Sequence, residues 1–263
     1  MERSQSAAAT TVIVAARQDT PLRVAVISDI HANLHALEAV LAAVEEDPPD
    51  EIWCLGDLVG YGPRPNEVTA LVRERERICL AGNHDLGVLD RLDLDDFAPD
   101  AAVAARWTQT VLLDENRAYL DGLSPEGRAV GAELYHASPR DPIWEYVIDE
   151  WTAREALEST VAPLVLVGHS HVALALTLQE GAIEGDLAAD GTEIDLAEGR
   201  WLLNPGSVGQ PRDGDPRAAW LQLDLGRGRA SFHRVAYEIQ RTQAELRERE
   251  LPEPLAERLA HGL

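Results

Sequence analysis

Beginning at Leu22, short unbroken apolar runs alternate with longer stretches in which apolar residues recur at helical spacing. Val24-Ala25-Val26-Ile27 has the form of a strand buried on both faces. Asn33 is placed to cap a helix with apolar positions Leu34, Leu37, Leu41 and Val44, and Pro48-Pro49 ends it. A strand at 52–55, a helix through Val68, Leu71 and Val72 after the Gly/Pro-rich loop 60–65, and a strand at 78–81 follow. This order predicts a parallel sheet with right-handed crossovers. Residues 86–135 break the alternation with 10 acidic residues against 4 arginines and two helical patterns, the clearer at 101–120. They read as a helical insert over the sheet edge, its acidic face solvated. A strand at 132–135, helices through 144–158 and a buried strand at 164–167 come next. Short strands at 172–178, 193–196, 201–203, 219–223 and 230–235, separated by Gly/Asp turns, predict an antiparallel sheet stacked on the first. Charged helices are expected at 238–250 and 254–260. The expected organisation is thus a flexible extension at 1–21, one domain at 22–237 and a helical tail at 238–263.

Composition narrows the chemistry. All 23 basic residues are arginine, against 46 acidic residues, for a net charge of −23. Without lysine, pyridoxal-phosphate enzymes, Walker-type phosphate loops and protein kinases are excluded. The acidic balance argues against broad binding to nucleic acid or anionic membrane. A small phosphorylated substrate stays compatible, because bound metal reverses the field locally. Cys54 and Cys79 lie in apolar runs and read as buried free thiols. No apolar run is long enough to span a bilayer, and residues 1–20 lack the basic region of a signal peptide. The expected address is the cytoplasm.

The chemistry concentrates at strand ends. The predicted strands run into Asp29-Ile30-His31, Gly56-Asp57, Gly82-Asn83-His84-Asp85, His136 and Gly168-His169-Ser170-His171. In a parallel sheet these ends share one edge, where ligands bind. Asp, Asn and neutral His offer oxygen and nitrogen donors without thiolate, which suits manganese, iron, cobalt, nickel or zinc. Five of the eight histidines fall at these positions. His35 is expected at the boundary of the first helix, and His233 and His261 to be structural. Trp53, Trp144, Trp151, Trp201 and Trp220 are expected in the core, and Trp107 to pack within the insert. Arg64, Arg140 and Arg212 lie in loops near the metal edge and are candidate phosphate contacts, with Tyr61 and Pro205-Gly206-Ser207 at the rim.

As a set, these motifs resemble the calcineurin-like metallophosphoesterase superfamily over about residues 22–235. Residues 56–63 (GDLVGYGP) and 204–212 (NPGSVGQPR) further resemble its small bacterial, phosphodiesterase-like branch. The resemblance implies an α/β fold, a four-layer αββα sandwich of two mixed sheets flanked by helices. It implies that Asp29, His31, Asp57 and His171 hold one divalent cation and that Asp57, Asn83, His136 and His169 hold a second, manganese being favoured. It implies hydrolysis of a phosphate ester, a diester in preference, by a hydroxide held between the metals. His84 would be the general acid, with its ring oriented by Asp85. A phosphomonoesterase, including a protein serine/threonine phosphatase, is the alternative within enzymes. A non-catalytic scaffold of the same fold is the alternative outside them.

Overall fold

A computed structural model describes residues 22–263, so the extension expected at 1–21 lies outside the described residues. In chain order the elements are β1 (Arg23–Ile27), α1 (Leu34–Glu46), β2 (Glu51–Cys54), α2 (Pro65–Arg75), β3 (Ile78–Cys79), α3 (Asn83–Val88), α4 (Pro99–Val111) and α5 (Asp114–Asp121). The hairpin β4 (Glu126–Ala129) and β5 (Ala132–Tyr135) leads to α6 (Glu150–Glu158), β6 (Leu164–Leu166), β7 (Ala173–Gln179) and β8 (Ala182–Leu187). Strands β9 (Glu193–Asp195), β10 (Arg200–Pro205), β11 (Ala218–Asp224) and β12 (Arg229–Val235) precede α7 (Ile239–Glu248) and α8 (Glu253–Glu257).

Two six-stranded sheets form, ordered β3-β2-β1-β11-β12-β9 and β4-β5-β6-β10-β7-β8. Both are mixed. Parallel pairs join β1, β2 and β3 in the first sheet and β5, β6 and β10 in the second, and the other pairs are antiparallel. Alternation along β1 shows how the layers are made. Val24 and Val26 point between the sheets, where they meet Trp53, Leu166, Leu203, Leu221 and Phe232. Ala25 and Ile27 point outward onto Leu37, Val40 and Val44 of α1. On the far side Val165 and Val167 pack against Ala153, Ala156 and Leu157 of α6. The result is the expected four-layer sandwich.

Several local expectations are corrected. The later strands do not make a separate antiparallel sheet: β9, β11 and β12 join the first sheet and β7, β8 and β10 the second. β8 carries no strand signal in the sequence, because the apolar residues of AIEGDL fall at 182, 183 and 187, without period-2 alternation. The helical pattern at 101–120 is two helices, broken where Asn66 caps both sides, donating to Val111 O (2.8 Å) and accepting from Leu113 N (2.8 Å). Helix stops at Asp121, and the rest of 86–135 belongs to the hairpin β4-β5. Residues 144–149 are not helical. Asp141 Oδ1 accepts from the N–H groups of Ile143 and Trp144 in a turn, and Asp149 then caps α6 through Thr152 N at 2.8 Å. Among the described residues no helix is long and apolar enough to cross a membrane.

The tail helices do more than cover surface. Leu246, Leu251, Leu255 and Leu259 pack with Ala104, Trp107 and Tyr61, so Trp107 packs, as expected. Glu245 of α7 receives Arg64 Nε and Nη2, each at 2.8 Å, and lies 3.0 Å from His35 Nε2. His35 is therefore buried, not at a boundary, because the tail lies over its helix. The Arg64 hydrogen bonds, helped by His35, hold the Glu245 carboxyl down to about 2. Its folded pKa lies below the unfolded one, so its contribution is present above about pH 4.5 and is lost as pH falls through about 2. Glu245→Gln is expected to destabilise by about 2 kcal/mol at pH 7 and to flatten the acid limb between pH 4.5 and 2. Urea unfolding at stepped pH measures both.

Candidate metal centre

Strand ends from both sheets meet at one edge, and backbone hydrogen bonds lock their loops together. Asp29 N donates to Gly56 O (3.0 Å), His31 N to Asp57 O (2.9 Å) and Gly168 N to His136 O (2.8 Å). Asp29, His31, Asp57, His169 and His171 all sit at φ between 50° and 62°, in the left-handed region. Such a conformation costs on the order of 1–3 kcal/mol per non-glycine residue and persists where the surroundings impose it. Gly56, at φ 104°, makes the close approach possible, since a Cβ there would stand 2.9 Å from His136 Nδ1.

Two groups of donors result. Ligand atoms of Asp29, His31, Asp57 and His171 lie within 4.8 Å of one another, as do those of Asp57, His136 and His169, and Asp57 belongs to both. Asn83 Oδ1, 3.2 Å from His136 Nε2, joins the second group. All seven residues are buried. Backbone carbonyls set the tautomers: His31 Nδ1 donates to Val59 O (3.1 Å), His136 Nδ1 to Leu55 O (2.9 Å) and His171 Nδ1 to Gln210 O (2.7 Å). A carbonyl only accepts, so each Nδ1 carries the proton and each Nε2 turns a lone pair inward. The lone pairs of His31 and His171 face one another at 2.9 Å, 3.6 Å from Asp57 Oδ2 and 3.4 Å from Asp29 Oδ1 respectively. Asp57 Oδ2 and His169 Nε2 are buried without a partner among the described residues. Burial pushes the Asp29 carboxyl up to about 7 and, with the charge of Asp85, raises Asp57 well above the usual range. Burial likewise holds His31, His169 and His171 well below theirs. Converging lone pairs and the orphaned Asp57 oxygen repel one another, and divalent cations fit this donor set.

A family model of the calcineurin-like phosphoesterase superfamily domain matches residues 22–226. The chain belongs to this family. A metallophosphoesterase from Sphaerobacter thermophilus superposes with a TM-score of 0.85 at 44% identity, covering 93% of this chain and 100% of that one. An uncharacterized protein of Methanocaldococcus jannaschii is 39% identical over 245 residues, 91% of this chain and 98% of its own length. A symmetrical bis(5'-nucleosyl)-tetraphosphatase of Klebsiella pneumoniae is 39% identical over 97 residues, 31% of this chain and 34% of that enzyme.

Around this calcineurin-like centre the remaining expected residues divide. His84 is buried beside the donors, its ring 4.8 Å from that of His31 and 4.4 Å from that of Tyr61, and its Nδ1 has no partner among the described residues. Its backbone N–H donates to Asp57 Oδ1 at 2.9 Å. Asp85 does not orient the His84 ring. Its carboxylate accepts from the N–H groups of Gly82 (2.9 Å), Val59 (3.0 Å) and Leu58 (3.3 Å), fastening α3 to the Asp57 loop. Arg212 reaches the centre, with Nη2 2.9 Å from Gln210 Oε1 and 3.2 Å from Tyr61 Oη, and among the described residues it has no carboxylate partner. Arg64 is turned to Glu245 and Glu67, and Arg140 to Glu145 and Glu155. Both are already neutralised, and nearby acid groups rather than free phosphate account for their direction.

Other supporting residues carry weaker signals. Asn204 and Ser207 are buried beneath the ligands, not at a rim. Asn204 Nδ2 donates to Gly168 O (2.7 Å), and Ser207 Oγ donates to Asp29 O (2.7 Å). Tyr146 stacks on His169 with centroids 4.1 Å apart, a contact that its place in the loop after Glu145 did not suggest. Trp151, expected in the core, is 61% exposed because α6 turns that face to solvent.

Proton competition gives a test. As a candidate ligand Asp29 would have to be ionised to hold a cation, and burial holds its carboxyl up at about 7. The rise in Tm on adding manganese should therefore grow with pH from 5.5 to about 7 and level off above it. A rise independent of pH would remove Asp29 from the ligand set.

Proposed function

We propose that this protein hydrolyses a phosphate ester, a diester in preference, with two divalent cations at the strand-end centre. One would be held by Asp29, His31, Asp57 and His171, the other by Asp57, Asn83, His136 and His169, and manganese suits these oxygen and nitrogen donors. The observation that carries this reading is the pair of inward lone pairs on His31 and His171, 2.9 Å apart and beside the unpartnered oxygen of Asp57. Membership of the calcineurin-like family supports it from a second direction. When bound, such cations neutralise phosphoryl charge and make a water nucleophile available near neutral pH.

The chain's own residues would do the rest. Arg212 offers a guanidinium fork to a phosphoryl oxygen, steadied by Tyr61 and Gln210. One free arginine matches the single negative charge of a diester better than the double charge of a monoester, and Arg64 and Arg140 are already engaged. The tetraphosphatase from Klebsiella pneumoniae has, by its name, a substrate whose phosphorus atoms each carry two substituents, as in a diester, though joined by anhydride rather than ester bonds. His84 would serve the departing oxygen. Burial first, then the charge of Arg212, pushes its ring down to about 3, so it is neutral until substrate arrives. The negative charge of a bound phosphate opposes the pull of Arg212 and favours uptake by His84 of a proton from water, which would then pass to the leaving alkoxide.

Bis(p-nitrophenyl) phosphate should be cleaved faster than p-nitrophenyl phosphate when manganese is supplied. His84→Ala should keep its metal content and lose about 100-fold or more in kcat. Arg212→Ala should raise KM about tenfold, the scale of one lost charged hydrogen bond. A folded, metal-loaded protein that cleaves neither ester with manganese, nickel, cobalt, iron or zinc would end the hydrolase reading and favour a scaffold.

A further inference from the structure

Beside the centre, aromatic rings make a wall that the chemistry above does not use. Phe97 lies edge-on to His84 and edge-on to Trp144, with both centroid distances 5.2 Å. Tyr146 lies flat on His169, 4.1 Å away and tilted by 19°. Phe97 and Trp144 are half-buried, and Tyr146 is 44% exposed. One face of Tyr146 is covered by His169, so its open surface is the opposite face and the edge. The wall thus touches the ring assigned to the leaving group and one of the candidate ligands.

The segment that carries it is firmly set. Asp141 Oδ1 accepts from Ile143 N and Trp144 N at 3.1 Å each, and Ser138 Oγ accepts from Arg140 N and Asp141 N at 3.1 Å each. Arg140 lies over the Trp151 ring at 5.4 Å while paired with Glu155. These bonds set the backbone that carries Trp144. The ring contacts of Phe97 with His84 and Trp144 and of Tyr146 with His169 place the aromatic side chains, which lowers the ordering cost of a stack.

We propose that Phe97, Trp144 and Tyr146 receive the base of a nucleoside phosphate whose phosphate occupies the centre. The inference rests on the phosphoesterase reading for what joins base to phosphate. An aromatic wall favours a flat π-system over an alkyl chain, because stacking adds to apolar burial. Reach separates a nucleobase from an aryl ester. A base on the open face of Tyr146 would be separated from His169 by the Tyr146 ring itself, so the link from base to phosphate must be longer than a direct aryl–oxygen bond, as a ribose is.

The test uses the full chain loaded with manganese and compares adenosine 5'-monophosphate with ribose 5-phosphate by titration calorimetry. Stacking on the scale known for single bases predicts that the base-bearing ligand binds roughly 5- to 100-fold tighter. Phenyl phosphate, the aryl arm, should gain less. Trp144→Leu and Tyr146→Leu should each lower the ratio of the two dissociation constants several-fold, and circular dichroism confirms that each variant folds. Equal affinities in the unsubstituted protein, a larger gain for phenyl phosphate, or a ratio unmoved in both folded variants would overturn the wall. Bis(p-nitrophenyl) phosphate turnover separates the two readings. Turnover with equal affinities removes the wall alone, and a variant-sensitive ratio without turnover keeps the wall and removes the hydrolase.

Discussion

Two imidazole lone pairs held 2.9 Å apart, with buried carboxylates on either side, repel one another, and much of the surrounding structure exists to hold them there. Three of the four histidines in the two donor groups have their tautomer set by a backbone carbonyl, so the inward nitrogens cannot escape by trading a proton. Burial, with the charge of Asp57 adding to it, makes the Asp29 carboxyl hold its proton up to about pH 7. Positive charge placed between the donors would relieve all of these tensions at once. Asp57 sits in both groups and couples them, so occupancy of one side alters the field felt by the other.

That repulsion has to be balanced by rigid surroundings. Left-handed backbone at five candidate ligands is tolerated because each loop bonds to another: the Asp29 loop to the Gly56–Asp57 loop, and the Gly168 loop to His136. Below them the segment from Asn204 to Gln210 fastens the two sheets together, with Ser207 under Asp29 and Asn204 under Gly168. Behind them Glu245 ties the tail to α1 and to the loop before α2.

Much of this was legible in the sequence, for identifiable reasons. Chain-order alternation of buried strands and amphipathic helices gave β1, α1, β2, α2 and β6 close to their bounds, and the strand-end rule gathered Asp29, His31, Asp57, Asn83, His136, His169 and His171 into one place. What stayed hidden was sheet membership. Strand periodicity says which face is buried but not which neighbour is chosen, and so β9, β11 and β12 looked like a separate sheet. The fates of the arginines were hidden too. Arg64 and Arg140 read as phosphate contacts from loop position alone, whereas their carboxylate partners lie far along the chain or on the next helix. The work of Asp85 escaped because a carboxylate that clamps backbone N–H groups looks, in sequence, the same as one that orients a histidine.

The interleaving of the first sheet bears on biosynthesis. Strand β1, made early, takes β11 as its antiparallel neighbour, with Arg23 opposite Asp224 and Val26 opposite Leu221. Until residues 218–224 have left the ribosome, one edge of β1 has no permanent cover and its apolar face toward the second sheet lacks Leu221 and Leu223. Closing a sheet across so long a separation is slow and leaves a bare edge in the meantime. The nascent chain therefore carries that open edge through most of its synthesis, the stage at which an unpaired strand is most exposed to pairing with another chain.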